Sequence, residues 1–308
     1  VLKALPKIVL VTGASGFIGS HLCAALKKDH VVVALVRDLL PLKWTTDALS
    51  GCILVRGDIR DLPLLKRVLS QYGVDWVFHL ASQAIVRVAT SNPFETFETN
   101  ILGTVNVLEA CRQLNVLKLL IQSTDKVYGN TLDATELSPL KAEDPYGASK
   151  IAMDVIAQSY MKTYGMSIVI PRSCNVFGLD YASRIIPNTV RSCLRGEPPV
   201  IYEGERDSAR QYIYVDDEVE TLIHLMKVLD GVVNIPGHFK TQEEVVQEVL
   251  KHFPDLWPQY VLRPFPQEIL RQSMRTEKLG FFRVFVSFQE GIRLTIEQFK
   301  QYWEDWNR

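Results

Sequence analysis

The chain has no surplus of either charge. Its 34 basic side chains meet 35 acidic ones for a formal net charge of −1. Without a basic block or aromatic-basic interleaving, nucleic acid is excluded as an expected partner. Small anionic ligands stay open, because they need only a local site. Long apolar runs are missing too: the longest, such as Val31–Val36, have the length of a strand and fall far short of a membrane span. No signal-peptide pattern precedes the first strand. The five cysteines, Cys23, Cys52, Cys111, Cys174 and Cys193, form no CxxC and are odd in number, which points to reduced, buried thiols in a cytoplasmic protein. The six histidines are scattered, so no metal site is expected. Repeats, low-complexity tracts and Gly/Ser linkers are absent as well, and any second domain must be woven into the first rather than strung after it.

What is present begins with IVLVTGASGFIGSHLC, residues 8–23. The run Ile8–Thr12 reads as a buried parallel strand that stops at glycine. Gly13, Gly16 and Gly19 then fall three apart, and a helical apolar pattern (Phe17, Ile18, Leu22, Leu26) starts inside them. Glycine suits such a turn because a diphosphate must approach the backbone closely, and the helix N-terminus behind it holds the anion. The turn therefore predicts dinucleotide binding. Further strand-like runs at Val31, Ile53, Trp76 and Leu119 alternate with helix-like stretches at βα spacing, and predict an α/β fold with a doubly wound parallel sheet.

Several positions along these strands are candidates for cofactor contacts. The second strand runs into Arg37 and Asp38. An arginine there suits a 2′-phosphate and favours NADP, while an acid one step later can still serve the ribose of NAD; a solvated strand end is the alternative. After the third strand, Asp61 before Leu62-Pro63 is the better helix cap, which leaves Asp58 free for a cofactor. The fourth strand ends in small residues, Ala81 and Ser82, where ligands of open α/β sheets sit. His79, in an apolar run, is given no role. Helices over 101–114 and 150–163 carry apolar residues on more than one face, which suggests a homodimer interface or, equally, plain core.

Tyr146 and Lys150 in DPYGASK are i, i+4 and share a helix face. An ammonium beside the phenol, reinforced by an oxidised nicotinamide, would lower the tyrosine pKa toward neutrality and make Tyr146 a base for a sugar hydroxyl.

Taken with GDIRD, HLASQA, ETNILGTVNVLEAC, STDKVYG, PRSCNVFG, RQYIYVDD and the closing LGFFRVFVSFQEGIRLTIEQF, the chain resembles the extended short-chain dehydrogenases/reductases over essentially its whole length. These are NAD(P)-dependent nucleotide-sugar epimerases and dehydratases. The resemblance implies Thr124 as the hydroxyl that orients substrate, Tyr146 as base and Lys150 as its partner. It places Gly13, Ser15, Gly16, Phe17, Ile18, Gly19, Arg37, Asp58, Ile59, Leu80, Ala81, Ser82, Asn100, Ser123 and Arg172 on the cofactor side with Tyr146 and Lys150. Gln83, Thr124, Asn175, Arg184 and Arg210 fall on the substrate side, Asn175 and Arg210 toward a diphosphate.

The sub-family turns on Thr124-Asp125-Lys126. By resemblance, 4,6-dehydratases carry an acid and a base after the catalytic hydroxyl, where epimerases carry small or neutral residues. Asp125 is then the acid and Lys126 the base, the lysine being similar to CDP-glucose 4,6-dehydratases. Asp125 and Lys126 merely paired with each other, in a 4-epimerase, is the alternative; a redox-sensing binding protein is a second, against which the retained Tyr146 and Lys150 stand. Two departures from the family are Gln211, where an aspartate is usual, and a short segment between Gly178 and Arg184.

These readings imply a cofactor domain over 1–174 with the chain returning near 211–236, and a nucleotide-sugar domain from 175–210 and 237–308. Helices are expected over 190–195, 216–229 and 245–253, the last behind a Thr241/Glu244 capping box, with a strand and helix closing the chain.

Overall fold

The structure is a computed structural model and describes residues 5–38, 42–262, 270–279 and 286–305. Its elements run β1 (Ile8–Thr12), α1 (Phe17–Leu26), β2 (Val31–Val36), α2 (Lys43–Leu49), β3 (Ile53–Arg56), α3 (Leu62–Tyr72), β4 (Trp76–His79), α4 (Val86–Ser91), α5 (Pro93–Phe97), α6 (Gly103–Gln113), β5 (Lys118–Ile121), β6 (Ser123–Thr124), α7 (Pro145–Tyr164) and β7 (Ile168–Ser173). They continue with β8 (Asn175–Phe177), α8 (Ile185–Leu194), β9 (Val200–Tyr202), β10 (Ala209–Tyr214), α9 (Val215–Val228), β11 (Gly231–Ile235), β12 (His238–Thr241), α10 (Gln242–Leu250), β13 (Gln259–Val261) and α11 (Phe288–Gln301).

The large sheet has the order β11-β7-β5-β4-β1-β2-β3, with β6 paired to β7 off that path. From β3 across to β7 its pairings are parallel. Strand order reverses at β1, which lies between β2 and β4, and open α/β sheets bind ligands at the carboxyl ends of strands beside such a reversal. Both faces are covered, so the strands are apolar throughout: Val9, Val11, Val33, Ala34, Val77, Phe78, Leu120 and Ile121 are fully buried. The doubly wound parallel sheet expected from the sequence is the observed fold.

The chain divides into two compact units. The first comprises Val1–Tyr128, Pro139–Arg172 and Val219–Val233; the second comprises Gly129–Ser138, Ser173–Glu218 and Asn234–Arg308. The division differs from the expected boundaries in two places. Residues 129–138 leave the first unit because they hydrogen-bond to Ser273 and Arg275, Ala134 N donating to Ser273 O at 3.0 Å. The return segment begins at Val219 rather than near 211, because β10 pairs with β8 and β12 in a separate three-stranded sheet.

In the second unit, Phe177, Tyr214 and Phe288 pack ring against ring. A Cβ at Gly291 would stand 2.7 Å from the Phe177 ring, which is why α11 carries glycine there. The Thr241 capping box is present, with Glu244 N donating to Thr241 Oγ1 at 3.1 Å and Thr241 N to the Glu244 carboxylate at 2.8 Å. The last three helices expected from sequence exist with shifted ends, as α8, α9 and α10. The closing helix is α11, and the strand expected just before it falls on residues 280–285, outside the described residues.

Candidate active site

The glycine turn is built by contacts that no side chain would allow. Gly13 sits at φ 69°, a left-handed conformation, and a Cβ on it would stand 2.8 Å from Ala81 N. A Cβ on Gly19 would fall on the Gly13 carbonyl oxygen, so α1 packs directly on its strand. Gly16 caps α1 with extended backbone and no side-chain hydrogen bond, which leaves the N-terminal N–H groups of the helix, beginning at Phe17 and Ile18, without a competing side-chain acceptor. That arrangement fits the diphosphate of a dinucleotide. Ser15 Oγ donates to Asp38 O at 3.0 Å and ties the turn to the end of β2. There Arg37 Nε pairs with Asp38 Oδ2 at 3.0 Å, both side chains more than half exposed.

Asp58, expected on the cofactor side, is engaged by Arg60 two residues further on. Its carboxylate accepts from Arg60 N at 2.9 Å, Arg60 Nε at 3.1 Å and Arg60 Nη2 at 2.9 Å, and the Arg60 guanidinium holds its pKa below the usual carboxylate range. Asp61 caps α3 by accepting from Leu64 N, as expected. Ile59 is buried against Gly103 in the core, so only its backbone is left for a ligand. Leu80, Ala81 and Ser82 follow β4 at the carboxyl edge of the sheet, and Ala81 N donates to Thr12 Oγ1 at 3.2 Å.

His79 is a core residue with both nitrogens bonded, Nδ1 to Thr12 Oγ1 at 2.8 Å and Nε2 to Thr104 Oγ1 at 2.9 Å. Burial, reinforced by Lys150, drives its pKa down to about 3, so it is neutral. The helix expected over 101–114 is regular only from Gly103, and Asn100 lies before it. It sits inside a π-helical turn, Glu98–Leu102, that precedes α6, and such turns re-aim side chains that a regular helix would point elsewhere. Its Nδ2 donates to Gln83 O at 3.0 Å and Ser149 Oγ at 2.8 Å, and its Oδ1 accepts from Gln83 N at 2.7 Å. Asn100 thus locks the segment after β4 to α7, and the Gln83 carboxamide is spent on Ile85.

The catalytic candidates of the first unit gather where β5, β6 and α7 meet. Asp144 caps α7, accepting from Gly147 N at 2.9 Å, and Pro145 occupies the first turn, so the helix starts one residue before Tyr146. Tyr146 and Lys150 then lie on its buried face, 8% and 3% exposed. Lys150 Nζ donates to Gln122 O at 2.5 Å, and burial pulls its pKa down to about 7, against the field of Asp154. Ser123 and Thr124 form β6, and Asp125–Tyr128 is a 3₁₀ turn packed on α7. A Cβ on Gly147 would stand 3.4 Å from Lys126 O, so turn and helix head touch. Thr124 Oγ1 donates to Asp125 Oδ1 at 3.1 Å and accepts from Lys126 N at 3.4 Å, with Asp125 buried.

Arg172, expected on the cofactor side, lies near the end of β7. Its guanidinium is buried in an ion pair with Asp154, Nε to Oδ2 at 2.8 Å and Nη2 to Oδ1 at 3.2 Å, while Nη1 donates to Tyr128 Oη at 2.7 Å. Those contacts commit it to holding β7, α7 and the 3₁₀ turn together. Ser123 Oγ also donates to Asp154, at 3.2 Å. The sequence reading passed over Asp154; its signal was the spacing Tyr146, Lys150, Asp154, three residues of one helix face.

In the second unit, Asn175 Nδ2 donates to Gln211 O at 3.0 Å, Arg184 pairs with Asp180 at 3.1 Å, and Arg210 is buried with Nη1 donating to Ala209 O. Gln211 has a local reason for replacing the usual aspartate. Its Nε2 donates to Met274 O at 3.0 Å and its Oε1 accepts from Met274 N at 2.9 Å, a reciprocal pair that a carboxylate cannot make.

A parallel sheet with a glycine turn at its reversal point, and a buried Tyr/Lys pair beside it, defines a dinucleotide-dependent enzyme of the doubly wound class. The chain belongs to the NAD dependent epimerase/dehydratase family, whose model matches residues 9–236. It is 30% identical to the human dTDP-D-glucose 4,6-dehydratase over 97% of this chain and 92% of that one. It is 31% identical, over 98% of its length, to an Arabidopsis thaliana trifunctional UDP-glucose 4,6-dehydratase/UDP-4-keto-6-deoxy-D-glucose 3,5-epimerase/UDP-4-keto-L-rhamnose-reductase, of which it spans only 48%. Among solved structures it resembles the Thermus thermophilus UDP-glucose 4-epimerase in complex with NAD, with TM-score 0.88 and 32% identity over 95% of this chain and 99% of the other. Among the described residues, no helix is long and apolar enough to cross a membrane.

Proposed function

We propose that the chain is a nucleotide-sugar 4,6-dehydratase that converts a nucleoside-diphosphate hexose to its 4-keto-6-deoxy product. The observation that supports the reading is that Thr124 ends β6 and that Asp125 and Lys126 follow in a 3₁₀ turn packed on α7, the helix that carries Tyr146 and Lys150. Bound NAD(P)+ supplies hydride acceptance from C4 and its later return to C6. Tyr146 takes the proton of the C4 hydroxyl, and Lys150 stabilises the phenolate that must exist beforehand. Thr124 orients the same hydroxyl. Asp125 then delivers a proton to the departing C6 hydroxyl, and Lys126, as the neutral amine, takes the C5 proton of the 4-keto intermediate.

The glycine turn, Ser15 and the backbone of residues 80–82 hold the dinucleotide in this reading, with Asn100 and Ser123 positioning their neighbours. Asn175, Arg184 and Arg210 serve the substrate. Arg37 inclines the cofactor choice to NADP, and Asp38, which shares its guanidinium, narrows the margin over NAD. Exposed apolar residues on and beside the two long helices, Leu102 at 56%, Val155 at 50% and Phe94 at 72%, support a homodimer through helices 101–114 and 150–163, and the free thiols a cytoplasmic setting.

A 4-epimerase is the second reading, favoured by the likeness to the Thermus enzyme. Incubation with CDP-, UDP-, dTDP- and GDP-hexoses separates the two by mass. Loss of one water from one of them supports the dehydratase. Interconversion of gluco and galacto forms without any dehydration replaces it with the epimerase.

A further inference from the structure

Residues 123–128 hold Thr124, Asp125 and Lys126 between two buried ends. Ser123 is buried at one end and Tyr128 at the other, while Thr124 and Lys126 are partly exposed between them. A two-residue strand followed by a four-residue 3₁₀ turn has few backbone bonds of its own, and 3₁₀ geometry makes them poor ones. The segment therefore depends on side-chain partners outside it.

Both ends meet the same ion pair. At the first, Ser123 Oγ donates to Asp154 Oδ2 at 3.2 Å. At the second, Arg172 Nη1 donates to Tyr128 Oη at 2.7 Å. Arg172 is joined to Asp154 by Nε to Oδ2 at 2.8 Å and Nη2 to Oδ1 at 3.2 Å, so one continuous chain of bonds runs from Ser123 through Asp154 and Arg172 to Tyr128. The planar guanidinium gives that chain fixed directions: two of its nitrogens lie on the carboxylate, which aims the third at the phenol. Gln158 Nε2 donates to Asp154 Oδ1 at 2.6 Å, holding the carboxylate from its own helix as well. Burial opposes the charge of Arg172, and its bonds to Asp154 and Tyr128 outweigh that effect. All these residues belong to the first unit.

We propose, resting on the dehydratase reading, that Asp154 and Arg172 are positioning residues for the elimination: they fix both ends of residues 123–128 and so the stations of Asp125 and Lys126. In that step the Lys126 amine takes the C5 proton, and the C5–H electron pair becomes the C5–C6 double bond. The C6 hydroxyl leaves with the proton of Asp125 as water. Two groups of one short turn must thus reach adjacent carbons of one sugar together, and a misplacement of about 1 Å costs on the order of a hundredfold in rate. The Tyr128 bond holds the end that carries Asp125 and Lys126. Thr124 lies at the other end, which Ser123 and the grip of Lys150 on Gln122 O secure independently.

Tyr128→Phe tests this, because it removes the bond at the turn end alone and keeps the ring beneath the guanidinium, whose carbon lies 5.0 Å from the ring centroid. Hydrogen exchange of the full chain, free of cofactor and sugar, should show faster exchange at amides 124–128 in the variant and unchanged protection in β1, β2 and β4. Single-turnover mixing then uses whichever of NAD+ and NADP+ binds more tightly and the nucleotide hexose that wild type dehydrates. Water loss should slow by about tenfold or more at an unchanged amplitude. Reduced cofactor, read by its absorbance, should persist as long as that slowed step, since C4 oxidation runs ahead of it. A fall in amplitude with the rate constant kept within about twofold of wild type marks a role in folding alone and overturns the proposal, as does unchanged exchange at 124–128. A wild type that dehydrates none of the hexoses overturns the functional reading and the elimination role with it. Dehydration by wild type with an unslowed Tyr128→Phe overturns the positioning role alone.

Discussion

The ammonium of Lys150 is seated on the main-chain carbonyl of Gln122, one residue before the Ser123-Thr124 strand. The same lysine stands one turn below Tyr146 on α7, so a single side chain sets the spacing between the base and the segment bearing Thr124, Asp125 and Lys126.

That seat is fully buried, and burial lowers the Lys150 pKa from its ordinary 10.5 to about 7. Between these values the unfolded chain binds a proton that the folded chain has lost, so the stability contribution of Lys150 rises with pH across that window and carries its full penalty below it. Lys150→Met should remove this slope. Denaturant midpoints at pH 6 and pH 9 should converge more for the variant than for wild type, and activity should fall by at least about a hundredfold, the scale of lost acid-base catalysis.

Asp154 and Arg172 form a buried ion pair, at 0% and 3% side-chain exposure. Asp154→Asn or Arg172→Met alone should destabilise the chain by about 3–5 kcal/mol, because each leaves a charge without its counter-charge. The double variant should recover part of that loss. Urea unfolding of the four proteins as a double-mutant cycle measures the coupling.

Replacing Gln211 with glutamate introduces the carboxylate chemistry its relatives' pattern would suggest, but faces the Met274 carbonyl with an acceptor instead of a donor. Gln211→Glu should cost about 1–3 kcal/mol in urea unfolding, the scale of an unsatisfied buried polar group.

Arg37→Ala tests cofactor choice. Weakening of NADP much beyond NAD in titrations by intrinsic fluorescence is the expected outcome; equal loss for both would show that the guanidinium serves Asp38 alone.

Much of the first unit was legible along the chain because its signals are local. A β-branched run broken by glycines three apart can hardly be anything but a strand, a turn and a helix N-terminus. Asp61 and Asp144 announce helix starts through bonds to residues three further on, and Thr241 does the same in the second unit. The i, i+4 spacing put Tyr146 and Lys150 on one face, and that face is the buried one.

Tertiary structure decided everything that depends on which distant groups compete for a side chain. That Arg60 holds Asp58, and that Asp154 and Tyr128 share the Arg172 guanidinium, appears only in the folded chain. A regular helix was expected over 101–114, and only the folded chain shows the π turn Glu98–Leu102 with Asn100 bonded to Gln83 and Ser149. Periodicity and spacing report the neighbours a residue has along its own element, while partners across elements are set by the sheet order and by how each helix lies on it, so they appear only once the chain has closed on itself.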